Sequence, residues 1–137
     1  MTVPWETLVV SSDFERRHDL ATILNREGID PICTSTISDC REIVAKRNVG
    51  LVFCDVDLRD GNYRDLLSAR RSMRSKMRVV VTSPDTDWDG YLDAMRLGAF
   101  DVIAVPCRPT DVERMLIQAW REERSRFGRT HRFHGAA

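Results

Sequence analysis

Five short, β-branched apolar runs, each followed by an amphipathic stretch, constrain this chain more than any other feature of it. The runs are Thr7–Val10, Pro31–Thr34, Gly50–Cys54, Arg78–Thr82 and Val102–Val105. They are close to continuously apolar, the pattern of strands buried on both faces. The first stretch between them, Phe14–Glu27, sets Leu20, Ile23 and Leu24 on one helical face and stops at Gly28. The next is Ser38–Arg47, opening with Ser38 and carrying Glu42 as a later capping partner. Then come Tyr63–Ser75, Asp87–Leu97 with Gly98 as its stop, and Thr110–Arg124, entered through Pro109 and capped by Thr110 or Asp111. Strict β-α alternation implies a parallel sheet, because parallel strands need crossover connections and right-handed crossovers lay helices on both faces.

This pattern predicts an α/β fold of the flavodoxin-like, doubly wound (βα)5 kind, with a five-stranded parallel sheet in the order 2-1-3-4-5. The domain is expected over residues 6–124. Residues 125–137 are polar, Arg-rich and aperiodic, and read as a flexible tail, too short for a helix-turn-helix output domain. At 137 residues and 42% hydrophobic the chain builds a core without metal or disulfide staples. Cys33, Cys40, Cys54 and Cys107 form no C-x-x-C pair and read as reduced, structural thiols, which fits a cytoplasmic setting. No window approaches the ~20 apolar residues of a membrane span, and MTVPWETLVV lacks the basic start of a signal peptide. The 21 basic and 21 acidic residues cancel, which argues against a broad nucleic-acid binder. The chain does not read as an enzyme. It holds no G-x-S-x-G elbow, and His18, His131 and His134 lie away from the strand ends.

In a doubly wound sheet the ligand site lies beyond the carboxyl ends of the strands, at the switch between the first and third. There the chain carries Ser11-Ser12-Asp13, Asp55-Val56-Asp57, Thr82-Ser83 and Val105-Pro106. A carboxylate directly after a buried strand suits a phosphoryl acceptor or a metal ligand, and equally an Asp that punctuates a turn. The Thr82 hydroxyl can bond an oxyanion on the neighbouring strand end or cap a turn.

With LVV in the first run, LVFCDVDLRDG around the third, VVVTS in the fourth and RLGAFDVIAVPCRP across the fifth, residues 6–124 resemble the receiver domain of bacterial two-component response regulators. In that family an acidic pair after the first strand holds Mg²⁺, and an Asp after the third accepts phosphate from a histidine kinase. A Thr or Ser after the fourth senses the phosphoryl group, an aromatic on the fifth rotates as a switch, and a Lys before a Pro pairs with the phosphate. The resemblance puts the acceptor at Asp55 and the sensor at Thr82. It puts the acidic pair at the neutral Ser11 and Ser12, the lysine at Val105 and the switch aromatic at Val102. Asp13 lies one residue beyond the pair, and Asp57 sits where the family offers a backbone carbonyl to the metal.

Mg²⁺ needs charged oxygens that two serines lack, and Val105 removes the expected ammonium. The sequence therefore predicts a stand-alone receiver-like module with a degraded Mg²⁺ and phosphate site, acting by protein contact without phosphorylation. Asp55 would instead accept hydrogen bonds from Ser11, Ser12 or Thr82. One alternative keeps Asp55 as a working phosphoacceptor, with Asp13 or Asp57 as substitute Mg²⁺ ligands. Another is a flavin or nucleotide site at the Ser11-Ser12 turn, against which stand the absence of a glycine-rich loop and the charges of Asp13 and Asp55. The partner is expected to be a histidine kinase or another signalling protein, or a second copy bound through the helix 4–strand 5–helix 5 face. On that face the resemblance places Trp88, Tyr91, Met95 and Met115, joined by Val102 or Ala104.

Overall fold

The structure, a computed structural model, describes residues 2–135 apart from 74 and 86, and no side chains beyond 126. The elements run β1 (Glu6–Val10), α1 (Phe14–Arg26), β2 (Ile32–Thr34), α2 (Ile37–Lys46), β3 (Val49–Asp55), β4 (Asp57–Leu58), β5 (Gly61–Asn62), α3 (Tyr63–Ser72), β6 (Arg78–Ser83), α4 (Trp88–Arg96), β7 (Asp101–Ala104) and α5 (Pro109–Gly135). The main sheet is parallel in the order β2-β1-β3-β6-β7. That is the expected 2-1-3-4-5 once the two-residue hairpin strands β4 and β5 are set apart.

Two cores sandwich the sheet, because successive side chains of a strand point to opposite faces. The alternation is explicit in β3: Val52 and Cys54 pack with α2, α3 and α4, while Leu51 and Phe53 pack with α1 and α5. On the second face α1 contributes Leu20 and Leu24, and α5 contributes Val112, Met115, Leu116 and Ala119. Met115 is fully buried in this stripe, which corrects its expected place on a partner-binding face. It lies three residues after Val112 and four before Ala119, squarely on the core side of the helix.

Some boundaries also differ from expectation. Helix α2 starts before Ser38: Thr36 is its cap, accepting from the Asp39 amide. Asp60, reaching across from the turn after β3, accepts from the Ile37 and Ser38 amides at 2.9 and 3.1 Å. Those bonds hold the Asp60 carboxyl below its ordinary range. Helix α3 ends at Ser72 rather than Ser75. Helix α5 does not stop at Arg124, and its backbone stays helical to Gly135. No proline follows Pro109 to interrupt it. Arg129 and Arg132, expected in a flexible tail, have side chains outside the described residues.

The amino-terminal end of the sheet is closed by a buried cation. Arg78, 6% exposed, donates from Nε to Glu122 and from Nη2 to Glu123, each at 3.1 Å, and its guanidinium lies 5.9 Å from the Trp5 ring. Trp5 in turn leans on Trp120, with ring centroids 6.1 Å apart. Gly50 admits this stack, since a Cβ there would collide with the Trp5 ring.

Candidate functional site

At the opposite end of the sheet, the rows of side chains facing α1 and α5 finish in polar groups. Val9 is followed in its row by Ser11, Phe53 by Asp55 and Val80 by Thr82. The β3–β6 register sets Asp55 directly beside Thr82. Thr82 Oγ1 donates to Asp55 Oδ1 at 2.6 Å, and Ser11 Oγ donates to Asp55 Oδ2 at 2.5 Å. The Asp55 carboxylate is 4% exposed and both its oxygens are engaged.

Of the three hydroxyls expected as alternative donors to Asp55, Ser11 and Thr82 reach it and Ser12 does not. Ser12 points the other way along the chain, donating to the Ser35 carbonyl at 2.9 Å and accepting from the Arg59 amide at 2.8 Å. It therefore stitches the loops after β1, β2 and β3 together, and only Ser11 enters the site. Asp13 is spent as the cap of α1, its Oδ1 accepting from the Arg16 amide at 3.1 Å, and is exposed. Asp57 is exposed on β4.

One residue beside Asp55 is absent from the sequence reading. The Arg16 guanidinium, in the first turn of α1, stands 3.6 Å from Asp55 Oδ2, so the site keeps a cation although Val105 occupies the position expected for lysine. Arg16 lies four residues before Leu20 and eight before Leu24, on the stripe of α1 that faces the sheet. That spacing was the available signal. The neighbouring Arg17 turns to the Ser11 carbonyl at 2.6 Å and steadies the same loop.

A cavity of about 180 Å³ opens beside this cluster, walled by Arg16, Leu20, Val105, Pro106 and Cys107. The Val105–Pro106 bond is cis. Burial, with the neighbouring Asp55 charge second, pushes the Cys107 thiol up to about 11, so it stays protonated near neutral pH. Burial likewise raises Cys40 to about 11 and Cys54 well above the ordinary thiol value.

Mg²⁺ takes an octahedron of hard oxygens, with carboxylates supplying the charge. The donors here are one carboxylate, already bonded at both oxygens, and two hydroxyls, with a guanidinium facing them. Among the described residues no three His, Cys, Asp or Glu side chains gather as a metal-holding group. This donor set does not fit the ion.

On the other face of the sheet, α4 is clamped to α3. Tyr63 donates to Asp93 Oδ2 at 2.5 Å, and Arg64 approaches the same oxygen from Nε and Nη2, both at 2.8 Å. The tyrosine hydrogen bond first, then the arginine, holds the Asp93 carboxyl below its ordinary range. Of the residues expected on a partner face, Trp88 is 70% exposed and stacks on half-buried Tyr91 at 5.7 Å. Met95 and Val102 pack against the core beneath α4, and Ala104 is exposed.

Comparison with known proteins agrees with this architecture. A family model, the response regulator receiver domain, matches residues 7–117. The alginate biosynthesis transcriptional regulatory protein AlgB of Pseudomonas aeruginosa is 30% identical over 63% of this chain, which covers 19% of AlgB. The photosynthetic apparatus regulatory protein RegA of Rhodobacter capsulatus is 26% identical over 80% of the chain and 60% of RegA. This chain thus spans about a fifth of the one relative and three fifths of the other. A CheY-like response regulator receiver domain protein from Methanospirillum hungatei JF-1 superposes with a TM-score of 0.79 at 19% identity, covering 89% of this chain and 98% of that one. Among the described residues no helix is long and apolar enough to cross a membrane. By its fold, its strand-end aspartate and hydroxyls, and the match over residues 7–117, the chain belongs to the response regulator receiver domain family.

Proposed function

We propose that this receiver domain signals through protein contacts and does not run a phosphorylation cycle. The observation that carries this reading is the state of Asp55, bonded by Ser11 and Thr82 and faced by Arg16. A phosphoryl transfer is driven largely by positioning and by neutralising charge on the transferred oxygens. The usual divalent cation would supply several kcal/mol of that neutralisation, and the donor set here does not hold one. An incoming phosphodonor must also displace a short hydrogen bond at whichever oxygen of Asp55 it reaches. The domain's partner is then a signalling protein or a second copy, met in the cytoplasm.

Arg16 favours a second reading, in which Asp55 still accepts a phosphoryl group. Its guanidinium is placed to face an anion on Asp55, as a bidentate arginine does elsewhere. Incubation with acetyl phosphate and Mg²⁺, read by intact-mass spectrometry, separates the two. The proposal expects an unchanged mass. A gain of one phosphoryl group on the wild type that is absent from Asp55→Asn overturns it.

A further inference from the structure

Between α3, α4 and the sheet lies a second cavity, of about 270 Å³, that the Asp55 site does not use. Its back wall is apolar, made by Val81, Ala94 and Val102, and the rings of Tyr63 and Tyr91 form its sides. The Tyr63–Asp93–Arg64 clamp fixes the spacing of the two helices that frame it. The mouth is acidic: Asp85 and Asp87 line it, both exposed. Arg64 also lines the cavity, but Asp93 already neutralises it. Beside the mouth stands the exposed Trp88, stacked on Tyr91. Apolar depth, a pair of carboxylates and an uncovered indole together select one chemistry. An acidic segment would be repelled, and a cationic one would meet both carboxylates and an aromatic face.

We propose that this pocket docks a basic amphipathic segment of a protein partner. An apolar side chain enters between α3 and α4, flanking Arg or Lys side chains face Asp85 and Asp87, and Trp88 packs against the bound segment. The proposal rests on reading the domain as a protein-contact module, and it names the contact. It places recognition on the α3–α4 side, separate from Asp55.

The test uses the full chain and the peptide acetyl-Arg-Arg-Phe-Arg-Arg-amide, followed by ¹⁵N chemical-shift mapping, with acetyl-Glu-Glu-Phe-Glu-Glu-amide as control. The basic peptide is expected to shift the amides of Tyr91, Ala94 and Val102, and to bind more weakly as salt is raised. Neutralising the rim with Asp85→Asn and Asp87→Asn, where the asparagine oxygen still caps α4, is expected to weaken binding about tenfold, the scale of losing charge complementarity. Val102→Phe, which fills the cavity, is expected to abolish the shifts. Equal binding of the acidic peptide, shifts confined to another face, or wild-type binding by the rim variant overturns the proposal. So does a dimer, seen by sedimentation, that the rim variant dissolves, since the pocket would then belong to a second copy. The phosphodonor assay reads Asp55 alone, so failure of peptide binding and failure of the phosphorylation-independent reading are separately visible.

Discussion

The sheet ends in a buried charge at each pole, and the two are built in opposite ways. At the amino-terminal pole, Arg78 is 6% exposed and held by two carboxylates on α5 whose side chains keep 47% and 37% exposure. At the carboxyl-terminal pole, the Asp55 side chain is 5% exposed, and the Arg16 guanidinium facing it is 39% exposed and 3.6 Å away. Arg78 is thus paired twice at hydrogen-bond distance. Asp55 is solvated mainly by two neutral hydroxyls. The first arrangement joins three parts of the molecule: the segment carrying Trp5, strand β6 and the later turns of α5. The second joins strand ends that the sheet already aligns with the first turn of the adjoining α1. A buried charge with full partners reads as architecture. One that is thinly compensated fits the proposal that Asp55 is the relic of a phosphoacceptor site.

The largest expected effect of this difference falls at Arg78. Removing one member of a buried ion pair costs about 3–5 kcal/mol when the remaining charge stays buried. Here Glu122 and Glu123 are half exposed and regain water, so Arg78→Ala is expected to cost about 3 kcal/mol, the low end of that range. Urea unfolding followed by tryptophan fluorescence measures this. A loss under about 1 kcal/mol, the size of an ordinary exposed pair, would mean that the polar closure of this end is decorative.

Asp55 should respond far less. In Asp55→Asn the amide oxygen can accept from one hydroxyl while the amide nitrogen donates to the other, and a buried charge is removed. The expected change is within about 1 kcal/mol, the net worth of an ordinary hydrogen bond. Asp55→Ala leaves the Ser11 and Thr82 hydroxyls without their acceptor and should cost more, about 1–2 kcal/mol. If Asp55→Asn proved as damaging as Arg78→Ala, the two poles would be equivalent and the reading of Asp55 as a relic would fail.

The two poles were also unequally legible. The five strands and their order followed from runs such as Gly50–Cys54, because a sheet buried on both faces leaves a continuous apolar signature. Asp55 followed from its place just past one run, and Thr82 from its place as the last residue of the next. The split between Ser11 and Ser12 was readable in principle: adjacent residues of an extended segment point to opposite sides, so only one could reach Asp55. At Met115 the family-based partner face competes with a plain i, i+3, i+4 stripe from Val112 to Leu116, and the core stripe wins. Arg16 was missed because a charged residue in a first helical turn ordinarily faces water, and only its phase with Leu20 and Leu24 betrays it. The Arg78 closure could not be read at all. Its partners lie 44 and 45 residues away on a helix whose Glu122 and Glu123 look, in sequence, like a solvated face.

The smallest expected effect is the sharpest test of what Arg16 does. Its pair with Asp55 combines a buried carboxylate with a guanidinium more than a third exposed, at a separation beyond hydrogen-bond length. Such a pair is screened by water on one side, so Arg16→Ala is expected to cost no more than about 0.5 kcal/mol. That difference should shrink in molar salt, where the screening length falls to about 3 Å. Arg78→Ala should keep most of its cost under the same conditions, because its loss includes packing against Trp5. Paired unfolding curves at low and high salt decide the matter. A salt-insensitive cost of about 2 kcal/mol or more for Arg16→Ala, on the order of a buried pair, would show that Asp55 is as fully compensated as Arg78. Arg16 would then be a structural counter-ion, and the polarity between the two ends of the sheet would disappear.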